Sequence, residues 1–170
     1  MIKMHILFFE VMHLNKSSWK PYVYAVIIVE AIGALSSWLT KDGMEVLDNL
    51  PQSVFTPPDI VFPIVWAVLY ALMGIGISRI WLSRSSDARS KGIWLFIIQL
   101  IFNFLWSIVF FNFRGFGFAL IWLLVMWILI IVMIVEFFKV DKPAAWMQIP
   151  YVLWVTFAAY LNYVTWMYNR

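Results

Sequence analysis

The chain has 170 residues, of which 64% are hydrophobic and only 12% charged. Soluble domains are about half apolar and about a quarter charged, so a soluble enzyme domain, a disordered region and a disulfide-stapled secreted domain are all excluded. With no cysteine and a formal charge of only +3, thiolate metal sites, covalent haem attachment and nucleic-acid binding are not expected either.

The solvent must be a lipid bilayer, whose hydrocarbon core of about 30 Å takes roughly 20 helical residues to cross. Residues 1–20 precede the first crossing. Their apolar run at 6–12 is short, Glu10 interrupts it, and no small-residue cleavage site follows. They read as a retained, partly helical cytoplasmic lead-in. Residues 21–170 then form a single domain with spans near 21–40, 57–82, 92–113, 116–138 and 143–168. Long apolar runs without period-two alternation demand helices, not barrel strands. The expected fold class is an all-α integral membrane protein, a five-transmembrane-helix bundle.

Local signals mark the boundaries. Thr56-Pro57-Pro58-Asp59 offers a capping hydroxyl, a proline for the first turn and an acid for the second helix, and Pro143 opens the fifth in the same way. Pro63 and Pro150 fall inside the expected helices and predict a bend in each. Arg114-Gly115 predicts a tight turn between the third and fourth spans. In the link 41–55 the acids Asp42, Glu45 and Asp48 outnumber Lys41.

Basic residues set the orientation. Lys3, Lys16, Lys20, Arg79, Arg84, Arg89, Lys91, Lys139 and Lys142 fall on one side, and Lys41, Arg114 and Arg170 on the other. The positive-inside rule puts the N-terminus in the cytoplasm and the C-terminus outside a bacterial cell membrane.

Polar residues within spans are costly and are the first candidates for function. The third helix carries Gln99 and Asn103 at i, i+4, with Trp106 and Phe110 on the same face. The second aligns Phe62, Trp66, Tyr70, Met73 and Ile77, and the fifth Tyr151, Trp154, Ala158 and Asn162. Turned inward together, these faces enclose an aromatic cleft with a few amide and phenol groups, suited to a flat, largely apolar ligand with a polar edge. The same stripes also serve helix packing, with Asn and Gln as interhelical hydrogen-bond partners, and spacing alone leaves both readings open. Glu30, alone at mid-span without a cationic partner, reads as a structural carboxyl, and Glu136 as an interfacial partner of Lys139. Both histidines, His5 and His13, precede the first span, so no buried haem, zinc or iron site is expected. No nucleophile–base set or phosphate-binding glycine loop appears in a span, and no catalytic residue or cofactor is expected.

The order of residues resembles a known family. Thr56-Pro57-Pro58, Phe62, Val65-Trp66-x-x-Leu69-Tyr70-x-x-Met73-Gly74 and Trp81 are similar to the second helix of the TspO/MBR family, the tryptophan-rich sensory and translocator proteins. Gln99-x-x-x-Asn103-x-x-Trp106 with Phe110-Phe111 resembles its third helix. Ala119 matches a small residue of its fourth, and Pro150-Tyr151-x-x-Trp154-x-x-Phe157-Ala158-x-x-Leu161-Asn162 resembles its fifth. The resemblance implies a five-helix bundle, commonly a homodimer, that binds porphyrins such as protoporphyrin IX. It places Trp66, Tyr70, Asn103, Trp106, Trp154 and Ala158 at cavity-lining positions. Phe62, Gln99 and Tyr151 join them on the helical faces described above.

The link departs from the family pattern. Val46 and Leu47 stand where a Trp-Tyr pair is usual, Gln52 and Ser53 replace Lys-Pro, and Phe55 replaces a Trp. The expected lid is therefore apolar but lacks two indoles and a phenol. Val164-x-x-x-Tyr168-x-Arg170 fits a loose sterol pattern, yet reads more simply as a membrane anchor, and sterol binding is not expected.

Three functions follow as expectations. The first is a receptor or transporter-like protein for porphyrins and similar flat amphiphiles, with a sensing, transport or regulatory role. The second is a light- and oxygen-dependent degradation of bound porphyrin. The third is a structural or regulatory membrane partner, for which Gly33-x-x-x-Ser37 and Gly74-x-x-x-Ser78 would support helix or dimer contacts. Of the 11 tryptophans, Trp38, Trp81, Trp94, Trp146 and Trp166 lie near span ends as anchors, with Trp19 just outside. Trp122 and Trp127 are expected to face lipid or a partner, and Trp66, Trp106 and Trp154 to wall the cleft.

Overall fold

The computed structural model describes residues 19–47 and 53–170. The expected lead-in before residue 19, the histidines His5 and His13, and the link positions Asp48 and Gln52 lie outside the described residues, as do the side chains of Val46 and Leu47. The described chain is helical throughout its spans: α1 (Lys20–Leu47), α2 (Val61–Leu82), α3 (Asp87–Ser107), α4 (Phe116–Val140), α5 (Lys142–Trp146) and α6 (Ile149–Tyr168). A π-helical turn, Ile108–Asn112, extends α3. Five segments are long and apolar enough to cross a membrane, with α5 and α6 together forming the fifth.

The end of α1 and the start of α2 differ from the sequence expectation, each for a local reason. Helix α1 continues seven residues past Thr40, whose hydroxyl donates back to Ser36 O at 2.9 Å and so does not compete with the helix. Helix α2 starts at Val61, not at Pro57, and Thr56 does not cap it. A residue before proline is driven out of the α region, so Thr56 and Pro57 are both barred from a helix. A turn follows instead, with Val61 N donating to Pro58 O (2.9 Å) and Phe62 N to Asp59 O (3.3 Å).

Neither interior proline bends a helix. Pro63 is the third residue of α2 and Pro150 the second of α6, positions whose N–H groups have no intrahelical partner. The fifth span is instead broken outright. Continuing it would drive the Pro150 ring into the Trp146 carbonyl, and the chain interposes a turn at Met147 and Gln148 between α5 and α6. The turn between α3 and α4 forms where expected, but the left-handed residue is Arg114 (φ 50°), not Gly115.

Helix α4 is the central packing element. Ala119, Leu123, Met126, Ile130, Met133 and Phe137 are fully or almost fully buried at three- and four-residue steps, facing α3 and α6. Helix α1 packs along α2, where Gly74 lies against the backbone of Val26 and Gly33 against the ring of Tyr70. The two glycine steps therefore serve contacts within the chain. Trp122 and Trp127, expected to face lipid or a partner, are half-buried and hydrogen-bonded to neighbouring helices of the same chain. Trp122 Nε1 donates to Phe102 O (2.9 Å) and Trp127 Nε1 to Thr156 Oγ1 (2.8 Å). Trp166 is half-buried, with its indole against Gly117. The expected Glu136–Lys139 pair forms at 2.7 Å.

At the other end of α2, Arg79 clamps Asp141 with two 2.9 Å hydrogen bonds, and Asp141 also caps α5 by accepting from Ala144 N at 2.8 Å. Desolvation pushes this carboxyl up, but the hydrogen bonds from Arg79 and Ala144 and the Arg79 charge outweigh it, holding Asp141 below the ordinary aspartate value. Its contribution to stability is thus complete above the ordinary range and is lost as pH falls through that range toward the lowered folded-state value. Asp141→Ala removes clamp and cap and is expected to cost about 2–3 kcal/mol. Asp141→Asn keeps the cap and should cost less. Thermal denaturation in detergent at neutral and acidic pH checks both, and the variants should converge on the wild type in acid.

Candidate functional site

The helices form a ring in the order α1, α2, α6, α4, α3, and the ring is least tightly closed between α2 and α6. Near the basic end, α2 packs closely on α5, with Gly76 against the Gln148 amide. Farther along, α2 and α6 make few close backbone approaches, and aromatic rings fill the space between them. Phe62 meets Trp154 edge-on at 5.9 Å, Trp66 meets Tyr151 at 6.3 Å, and Trp66 lies tilted on Tyr70 at 5.3 Å. Phe62, Trp66, Trp154 and Ala158 are half-buried, as residues that wall a cleft would be.

Behind this wall the expected polar residues meet in one directed chain. Tyr70 Oη donates to Asn103 Oδ1 (2.8 Å), Asn103 Nδ2 donates to Tyr151 Oη (3.2 Å), and Tyr151 Oη donates to Gln99 Oε1 (2.8 Å). All four are buried. Each link joins different helices, so the chain ties α2, α3 and α6 together. It ends at Gln99 Nε2, a buried donor that finds no acceptor among the described residues. The spacing Gln99, Asn103 on α3 makes this possible, since i, i+4 residues share a face and can both reach the phenol of Tyr151. No charged side chain is buried among the described residues. Glu30 is half-buried on α1, one turn before Gly33.

Trp106 is placed elsewhere. It is buried, stacks on Phe110 at 5.2 Å, and its Nε1 donates to Asn162 Oδ1 at 3.4 Å, while Asn162 Nδ2 donates to Phe116 O at 2.8 Å. Trp66 and Trp154 thus share one aromatic cluster, and Trp106 belongs to a second that fixes α3 to α4 and α6. The π-helical turn makes this second cluster: it swings Phe110 inward against Trp106 and Phe116, and Phe111 edge-on to both Trp106 and Phe110.

Two residues outside the expected set matter here. Tyr160 Oη and Ser53 Oγ share a hydrogen bond of 3.3 Å, Ser53 Oγ also accepts from Phe55 N (3.2 Å), and the Phe55 ring meets Tyr160 edge-on at 6.3 Å. The described end of the link therefore docks on α6 through a hydroxyl pair as well as a ring. Tyr160 also stacks on Phe157, which adjoins Trp154 at 5.5 Å. Phe157 was legible at i+3 from Trp154. Tyr160 was not, because it lies off the face that Tyr151, Trp154 and Ala158 define.

The profile of the TspO/MBR family matches residues 25–167. The chain is 33% identical to "Tryptophan-rich protein TspO" of Chlorobaculum tepidum over 138 residues, 78% of this chain and 85% of that protein. It is 30% identical to the "Translocator protein" of Bos taurus over 155 residues, covering 89% and 92%. With "Protein CrtK" of Rhodobacter capsulatus it shares 32% over 123 residues, covering 72% and 77%. Family profile, five-span fold and near-complete coverage of these relatives agree: the chain is a multi-pass membrane protein of the TspO/MBR family.

Proposed function

We propose that this protein binds protoporphyrin IX-type tetrapyrroles and similar flat amphiphiles between α2, α3 and α6, in a sensing, transport or regulatory role. One observation carries the reading: α2 and α6 meet mainly through aromatic rings, with few close backbone approaches, above a buried polar chain that ends in a donor unused among the described residues. Indole and phenyl faces suit a broad π system, and Gln99 Nε2 and the phenol of Tyr70 suit its polar edge. The absence of buried charge among the described residues favours a ligand whose inserted part is neutral, with any carboxylates left at the rim. The names of its relatives, a sensory protein and a translocator, support a role without a chemical step. We further propose a homodimer with the N-terminus in the cytoplasm of a bacterial cell. The concentration of Lys and Arg at the α2–α3 and α4–α5 turns supports that orientation.

Titrating purified protein with protoporphyrin IX and following Trp fluorescence tests the site. Trp66→Ala and Trp154→Ala should each raise Kd by at least about ten-fold, the scale of a buried aromatic contact. Trp38→Ala, on the exposed side of α1, should leave Kd unchanged. Equal affinity in all four proteins would overturn the assignment.

A further inference from the structure

We infer that the corner between α2 and α3 is a binding site for the headgroup of an anionic phospholipid. Residues 83–91 read Ser-Arg-Ser-Ser-Asp-Ala-Arg-Ser-Lys, three cations and four hydroxyls against one acid. The corner lies where two spans end, between Leu82 and Asp87. It is flanked by Trp81 and Trp94, which are 59% and 65% exposed. Indoles so placed sit at the headgroup–acyl boundary, which fixes the depth of the cations beside them.

The charge here is uncompensated. At the same end, Arg79 is held by Asp141 and Lys139 by Glu136. Arg84 and Lys91 are exposed and form no ion pair among the described residues. Arg89 is built in differently. Its Nε and Nη2 donate to Ile80 O and Trp81 O, the last carbonyls of α2, and its guanidinium stands 5.3 Å over the Trp81 ring. That arrangement positions Arg89, and its Nη1 donors have no acceptor among the described residues. Arg84 and Lys91 flank it in sequence, with the hydroxyls of Ser85 and Ser90 exposed beside them. A phosphodiester is the anion that matches such donors, and the two exposed indoles require that it carry acyl chains. At the opposite end the described cations Lys41, Arg114 and Arg170 are matched in number by the acids Asp42, Glu45 and Asp59, so the excess of positive charge is local to the corner.

The test uses the full chain in neutral detergent, with dioleoyl-phosphatidylglycerol and dioleoyl-phosphatidylcholine added separately and bound lipid read by native mass spectrometry. The wild type should retain the phosphatidylglycerol in preference, and added salt should weaken that preference. Arg84→Gln with Lys91→Gln should reduce phosphatidylglycerol affinity by about five-fold per cation removed. Both side chains are exposed, so unfolding does not confuse the result. Lys41→Gln with Arg114→Gln, at the opposite end, should change nothing. Equal retention of the two lipids, unchanged affinity in the corner variant, or displacement of the lipid by excess inorganic phosphate would each overturn the proposal.

Discussion

Gly74→Ala is expected to destabilise the bundle by about 3 kcal/mol, although it adds a single methyl group. A Cβ at this position would fall 2.6 Å from Val26 Cα and 2.8 Å from Val26 N. Those are backbone atoms and cannot rotate away. Relief requires α1 and α2 to part, and their seam has a second fixed point a little farther along, where Gly33 abuts the Tyr70 ring. Parting the helices at Gly74 therefore disturbs a phenol whose hydroxyl holds Asn103 at 2.8 Å. Thermal unfolding in detergent checks the expectation against Gly115→Ala, where the nearest atom to the new carbon is 3.8 Å away. That variant should lose no more than about 1 kcal/mol, through its place at the start of α4. A Gly74→Ala protein as stable as Gly115→Ala would show that the seam between α1 and α2 has slack.

The contrast between these glycines marks what the sequence could convey. Composition and hydropathy specify five spans because a bilayer leaves the backbone no alternative to the helix. The i, i+4 pairing of Gln99 with Asn103 and the aromatic spacing on α2 and α6 were readable for the same reason: one helical period fixes which side chains share a face. Which face meets which neighbour is a different kind of information. Trp106 and Trp66 carry equivalent signals in the sequence, yet one is buried against Phe110 and Asn162 while the other stands half-exposed beside Tyr70. The neighbours each indole meets make that difference, and no residue in 108–112 announces the π-helical turn that carries Phe110 and Phe111, the rings packed on Trp106. The same limit hid Tyr160, whose partner Ser53 lies 107 residues away. Prolines misled at the boundaries because two effects compete at each of them. Steric exclusion of the preceding residue moved the start of α2 past Pro57 and Pro58, tolerance in a first turn accommodates Pro63 within α2, and Pro150 sits at the start of α6 directly after the break that its ring imposes on the fifth span.

Tyr151→Phe should cost about 2 kcal/mol while leaving the packing untouched. Tyr151 is fully buried, and its ring is retained by phenylalanine. Only the hydroxyl is lost, and it is the one group that both accepts from Asn103 Nδ2 and donates to Gln99 Oε1. Asn103 keeps its bond from Tyr70, but its amide donor loses its acceptor. Gln99 fares worse, because its Nε2 has no acceptor to begin with. After the substitution neither end of its amide is bonded within the described protein. Interhelical hydrogen bonds in membranes contribute about 0.6 kcal/mol on average and at most about 1.7, so two broken links at a fully buried site fall near the upper range. The test is a double-mutant cycle read by thermal unfolding. Gln99→Met replaces the amide with an apolar group of similar volume, so in the Tyr151→Phe background it removes an unsatisfied group and should recover part of the loss. In the wild-type background the same change leaves the Tyr151 hydroxyl only the weak acceptor Met126 Sδ at 3.9 Å and should destabilise. An effect of Gln99→Met that changes sign between the two backgrounds, hence a large coupling energy, identifies the phenol and the amide as one unit. Strict additivity would mean that the chain from Tyr70 to Gln99 is four adjacent polar groups without shared energetics, and the polar floor assigned to the cleft would then rest on proximity alone.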